Sequence, residues 1–255
     1  DLFKKINQWL KVKIYSETDP ESDKHSLEYK ILVLGDKSVG KSSLCTRFCL
    51  NEFSLEIKGS TNSECYLKTV RLFDQVIKLY IVDTVESVLS NDRYDLYSDV
   101  RGVIVLYDLT KSITFEKIDK WMIDVKQRIN PNLPILMVGH KKDLTFLRNI
   151  DSEEGLEKAN KNNCDFIETT CIDEDSVDLA FKTLVARIYY NDLPDTKKSF
   201  FKMAVNEKEE KENKEKMSLS LLSSEKGVDS KKTQHKELNS LSADSVMTED
   251  KKSKD

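Results

Sequence analysis

Apolar residues in this chain fall into short unbroken runs, separated by stretches in which they recur every three or four positions. The runs are Ile31–Leu34, Val76–Val82, Gly102–Tyr107, Pro134–Gly139 and the shorter Asp165–Glu168. Runs of this length bounded by turn residues read as strands buried on both faces. Tyr66–Phe73 and Val76–Val82 flank Asp74-Gln75 and read as the two arms of a hairpin. Helical spacing lies between several of the runs and after the last. Leu44 and Phe48 lie four apart, Ile113–Ile129 and Glu153–Asn160 are helical stretches, and Val177, Phe181, Leu184 and Ile188 mark one face of a last helix. Strands alternating with helices predict an α/β fold, a mostly parallel six-stranded sheet with helices on both faces and the hairpin as its antiparallel exception.

The pattern divides the 255 residues into three parts: 1–25, a globular domain over 26–192, and a tail over 193–255. In the first part Leu2, Phe3, Ile6, Trp9 and Leu10 recur at helical spacing beside Lys4, Lys5, Lys11 and Lys13. That amphipathic pattern suits a helix making weak contact with a membrane surface, or one docked on its own domain or ending an upstream helix. The chain starts at Asp1 without a methionine, so a fragment of a longer product is expected. The tail has no aromatic residue after Phe201 and is dominated by Lys, Glu, Ser and Asp, so it is expected to be disordered. Its weight lowers the hydrophobic fraction to 38% and raises the charged fraction to 34%. A net charge of −4 offers no basic field for nucleic acid. The five cysteines show no metal-ligand spacing, and with no signal peptide they point to a reducing, cytoplasmic setting.

The segment that carries chemistry is Gly35-Asp36-Lys37-Ser38-Val39-Gly40-Lys41-Ser42, followed by Ser43. It matches G-x-x-x-x-G-K-[ST] and stands between a predicted strand and a predicted helix, as that motif requires. Glycines let the backbone approach phosphate oxygens, and the helix directs its N–H groups and positive dipole end at them. Lys41 adds a full charge, and Ser42 a hydroxyl suited to Mg²⁺. A nucleoside phosphate is the expected ligand of this P-loop NTPase pattern.

Taken together, several motifs resemble a small Ras-like GTPase of the Rab branch over roughly 27–190: the P-loop, Val82-Asp83-Thr84, Tyr107-Asp108-Leu109-Thr110 with Thr114-Phe115 and Trp121, His140-Lys141-Lys142-Asp143, and Glu168-Thr169-Thr170-Cys171. The resemblance implies GTP/GDP and Mg²⁺ as ligands. It implies that Lys41 and the P-loop amides hold the phosphates, and that Ser42, Thr61 and Asp83 serve the metal. Phe53 falls at the aromatic beside the guanine, twelve residues after Lys41. Asp143 would accept the guanine N–H groups, the stem of Lys141 would lie along the base, and the N–H of Cys171, between Thr170 and Ile172, would meet the guanine carbonyl. Gapless counting places Ser60 at the switch I threonine; Thr61 is chosen because Tyr66 then falls at the family's aromatic. Effector or regulator proteins would engage the switch regions, and the protein would be cytoplasmic or peripheral on membranes.

Departures from the family pattern are specific. Where the family has D-T-A-G-Q, this chain has Asp83-Thr84-Val85-Glu86-Ser87. A carboxylate at Glu86 stands near the expected triphosphate, and Ser87 is too short to orient an attacking water. Lys37 occupies a position that is usually small, where it crowds an incoming arginine or supplies charge itself. His140 replaces the guanine-motif asparagine and can replace only some of its bonds. Asn91 or Asp92 would be the substitutes for the missing catalytic side chain. The tail ends Lys251-Lys252-Ser253-Lys254-Asp255 without a prenylation cysteine. Two readings follow: a guanine-nucleotide-binding regulator of vesicle or membrane traffic with slow or absent hydrolysis, and a pseudo-GTPase acting as an interaction module. A P-loop kinase or ATPase is disfavoured, because no acceptor-substrate motif appears and Asp143 stands where guanine selection needs it.

Overall fold

The computed structural model describes residues 13–15, 27–54, 63–72, 75–85 and 97–199. The predicted N-terminal amphipathic helix and the tail beyond 199 lie outside these residues. The elements are β1 (Lys13–Tyr15), β2 (Leu27–Gly35), α1 (Lys41–Leu50), β3 (Glu64–Leu72), β4 (Gln75–Asp83), β5 (Val100–Asp108), α2 (Ser112–Glu116), α3 (Ile118–Arg128), β6 (Ile135–His140), a 3₁₀ turn (Thr145–Leu147), α4 (Ser152–Asn162), β7 (Asp165–Thr169) and α5 (Glu174–Asp192). The single helical stretch expected over 113–129 is two helices that meet at Lys117, the C-cap of α2 and N-cap of α3.

The sheet order is β1-β3-β4-β2-β5-β6-β7. From β4 through β7 all pairs are parallel, while β3 pairs antiparallel with β4, Leu72 opposite Gln75. The six expected strands are therefore present, with the hairpin as the antiparallel member. A seventh, β1, pairs antiparallel with β3 from Lys13 opposite Arg71 to Tyr15 opposite Thr69. It comes from the segment read as preceding the domain, where a three-residue strand leaves too little periodicity to be legible.

Two layers cover the sheet. Leu32, Leu34, Val103, Val105 and Tyr107 share a core cluster with Ile118, Trp121, Met122 and Val125 of α3 and Ala159 of α4. On the other face α5 lies over β5, so that a Cβ on Gly102 would stand 2.7 Å from Ile188 Cδ1. Alternate residues of β2 serve opposite faces, which is why Ile31 to Leu34 are all fully buried. The first of two units ends at Pro194. In the second unit, which begins at Asp195, residues 195–199 form a helical turn held by Ser199 Oγ donating to the Asp195 carbonyl.

Phe48 of α1 and Phe181 of α5 stack with ring centroids 3.9 Å apart and 9° between planes. This contact fixes the helix that leaves the P-loop onto the last helix. Phe181→Ala removes a fully buried ring from that junction and should cost about 3–5 kcal/mol, read as a lower urea midpoint.

Candidate functional site

The carboxyl ends of β2, β4, β5, β6 and β7 place Gly35, Asp83, Asp108, His140 and Thr169 along one edge of the sheet. β2 is the strand from which the chain moves first to one side and then to the other, and its carboxyl end is where α/β sheets bind ligands. The loop from Gly35 to Gly40 closes around the Lys41 ammonium, which donates to the carbonyls of Gly35 (2.9 Å) and Asp36 (2.8 Å). Both glycines are required by position. Gly35 has φ 145° and would clash with the Leu106 carbonyl at 2.3 Å, and Gly40 has φ 106° with the His140 ring 2.4 Å from a Cβ. α1 starts at Lys41, so its N-terminal amides face the loop.

Ser42 Oγ donates to Asp83 Oδ2 at 2.5 Å, bringing the hydroxyl and the carboxylate expected at the metal into one place. Thr84 Oγ1 donates to the Val33 carbonyl at 2.7 Å and ties the exit of β4 to β2. This oxygen-only pair suits Mg²⁺, which takes its remaining ligands from phosphate and water. The described residues contain no cluster of three or more His, Cys, Asp or Glu side chains for a softer metal. Ser42 and Asp83 would hold the Mg²⁺, and the ion would neutralise phosphate charge. Thr61, Glu86, Ser87, Asn91 and Asp92 fall outside the described residues.

At the other end of the edge, Thr170 Oγ1 donates to Asp143 Oδ1 at 2.6 Å and accepts the Ile172 amide at 3.1 Å. The two guanine-motif loops are thus joined through the carboxylate expected to read the base. Asp143 and Ile172 are exposed, and Phe53, 42% exposed, presents open ring surface. Lys141 reaches back from φ 67° to donate to the Ser38 carbonyl (3.0 Å) and to Asp108 Oδ2 (2.7 Å). Asp108 is wholly buried. Burial works against its charge, but hydrogen bonds from Lys141 and Thr110 prevail and hold its carboxyl below the usual range.

The model of the Ras family matches residues 30–190. Ras-related protein Rab-11A of Dictyostelium discoideum is 34% identical over 167 residues, which cover 64% of this chain and 76% of that relative. The chain belongs to the Ras family. Within it the chain is Rab-like, a GTP-binding regulator by membership. Among the described residues no helix is long and apolar enough to cross a membrane.

Departures from the Ras-family pattern now have a geometry. His140 places Nδ1 2.8 Å from Thr169 Oγ1 and Nε2 3.4 Å from Cys171 Sγ. Its ring touches the P-loop at Gly40 by packing, while these polar contacts go to the β7 end and the guanine loop. Lys37 and Ser38 are exposed at the mouth, and Ser38 has φ 63°, a left-handed conformation costing a non-glycine residue roughly 1–2 kcal/mol. The roles of three further residues were not read from the sequence, although Asp108 and Trp121 stand in its motifs. Asp108 was legible only as part of a motif, and the contacts of Lys117 and Trp121 with Asp36 carry no local signal because they span over eighty positions.

Burial pushes the His140 imidazole down to about 4, and the Lys141 ammonium adds to the shift. The ring is therefore neutral at pH 7. An unfolded histidine titrates near pH 6.5, so as pH falls the unfolded chain takes up this proton first. The stability associated with neutral His140 is fully present above about pH 6.5 and is lost towards pH 4, by roughly 3 kcal/mol in all. His140→Asn, which cannot titrate, should flatten that part of the stability profile in urea unfolding between pH 7 and 4.

Proposed function

We propose that this chain is a guanine-nucleotide-binding, Rab-like regulator of vesicle or membrane traffic that hydrolyses GTP slowly or not at all. The observation that carries the reading is one edge holding three separate chemistries: Lys41 inside the phosphate loop, Ser42 on Asp83 at the metal position, and Thr170 on Asp143 at the base position. The traffic role rests on the Rab resemblance, and effectors or regulators would engage the switch segments. In this reading Gly35 to Ser43 cradle the phosphates, Phe53 and Lys141 flank the base, and Cys171 and Ile172 close the guanine loop.

Asp143 selects the base because its carboxylate accepts from guanine N1 and N2 and opposes the lone pair at adenine N1. A charge-assisted bidentate contact of this kind discriminates by a few kcal/mol. The purified chain should therefore bind GDP or GTP with Mg²⁺ far more tightly than ATP. Asp143→Ala should erase most of that preference, and Ser42→Asn should weaken GTP more than GDP. Equal affinity for ATP and GTP in a titration defeats the guanine assignment.

Slow hydrolysis follows from Glu86 and Ser87, which stand in sequence where the γ-phosphate contact and the water-orienting glutamine belong. Paired replacement, Glu86→Gly with Ser87→Gln, should raise single-turnover hydrolysis of GTP, each tenfold gain corresponding to about 1.4 kcal/mol of barrier. A parent already as fast as ordinary family members contradicts this part of the proposal. The second reading, a pseudo-GTPase acting through its surface, is favoured by one observation: His140 contributes packing at the P-loop where the family has a hydrogen-bonding asparagine. Chromatography of nucleotide extracted from the purified protein, followed by exchange against added GTP, separates the two, since the pseudo-GTPase holds a nucleotide that is structural and does not exchange, or none.

A further inference from the structure

The second residue of the phosphate loop is a carboxylate, an awkward group beside a polyphosphate because like charges at short range repel. Asp36 is 7% exposed, and each of its oxygens meets a donor from outside the loop. Lys117 Nζ lies 2.5 Å from Oδ2, and Trp121 Nε1 lies 3.1 Å from Oδ1. The donors stand four apart at the start of α3, where the Trp121 amide bonds the Lys117 carbonyl, so helical geometry brings both side chains to one face. α3 is itself anchored, with Trp121, Met122 and Val125 in the core. The carbonyl of the same Asp36 accepts from Lys41. One residue is thus gripped by its side chain from α3 and by its backbone from the lysine that faces the phosphates.

We infer that Lys117 and Trp121 are positioning residues for the phosphate loop, turning the Asp36 carboxylate away from the ligand, neutralising it and fixing the carbonyls that enclose Lys41. The consequence for nucleotide rests on the guanine-nucleotide reading above. Without Lys117 the loop loses its charged outside partner at Asp36, leaving Trp121 alone on a carboxylate that repels phosphate. The Lys117 side chain is 43% exposed, so this grip is also reachable from the surface.

The test uses the full chain and two measurements. In stopped-flow release of a fluorescent GDP analogue, Lys117→Ala should release about tenfold faster than the parent. Lys117→Arg should stay near the parental rate. Adding Asp36→Asn to Lys117→Ala should recover most of the loss, because the amide removes the unneutralised charge and still accepts from Trp121. Parental release by Lys117→Ala, or a further additive loss in the double variant, overturns the inference. The second measurement needs no nucleotide. Amide hydrogen exchange over residues 35–41 of the nucleotide-free chain should quicken in Lys117→Ala and return in Lys117→Arg, with β6 and α5 unchanged. If the parent binds no guanine nucleotide, that reading fails and exchange alone decides the positioning role, with unaltered exchange in Lys117→Ala overturning it.

Discussion

The placement of β2 between β4 and β5, parallel to both, is the constraint on which the rest of the molecule depends. It is buried on both faces, so its residues from Ile31 to Leu34 are all apolar, and its register with each neighbour fixes where the three strands end. Val33 pairs with Asp83, and Gly35 pairs with Leu106 two residues short of Asp108. The metal-position carboxylate, the first phosphate-loop glycine and the carboxylate that holds Lys141 therefore arrive at one edge from segments far apart in sequence. A slip of one residue would take Val33 off Asp83 and Gly35 off Leu106, and the three strand ends would no longer meet at one edge.

Electrostatics at that edge follows from a conflict. The edge proposed to take a polyphosphate is bordered by Asp36, Asp83, Asp108 and Asp143, and each carboxylate has a designated donor. Lys117 and Trp121 take Asp36, Ser42 takes Asp83, Lys141 and Thr110 take Asp108, and Thr170 takes Asp143. Lys141 holds two parts together at once, because the ammonium that neutralises Asp108 also bonds the Ser38 carbonyl of the P-loop. Lys41 donates inside the loop to two carbonyls, neutral acceptors of the kind a phosphate can replace.

The Ras-family frame tolerates its substitutions by local means. His140 stays neutral because burial excludes the proton, so an imidazole can pack against Gly40 without adding a buried cation. Ser38 accepts a left-handed backbone that glycine would adopt freely, a modest strain for a residue whose carbonyl is fixed by Lys141. Cys171 touches His140, and burial pushes its thiol up to about 12, which leaves it an inert packing group in the guanine loop.

The sequence alone determined the α/β class, the strand–loop–helix around Lys41, the hairpin and the Rab resemblance. All of these rest on local signals: periodicity, glycine placement and motif order. It also singled out Ser42, Asp83 and Asp143, because each belongs to a short motif. Only the tertiary structure decided what those residues touch. The β1 strand pairs through backbone groups that any sequence carries, so three residues gave no sign of it. The Lys117 and Trp121 grip on Asp36, the Asp108–Lys141 pair and the turn of His140 towards Thr169 and Cys171 join side chains that are neighbours only once β5, β6 and β7 align beside β2. Side-chain pairing across a parallel sheet depends on register and on which helix covers which face, and neither is written in any local stretch of the chain.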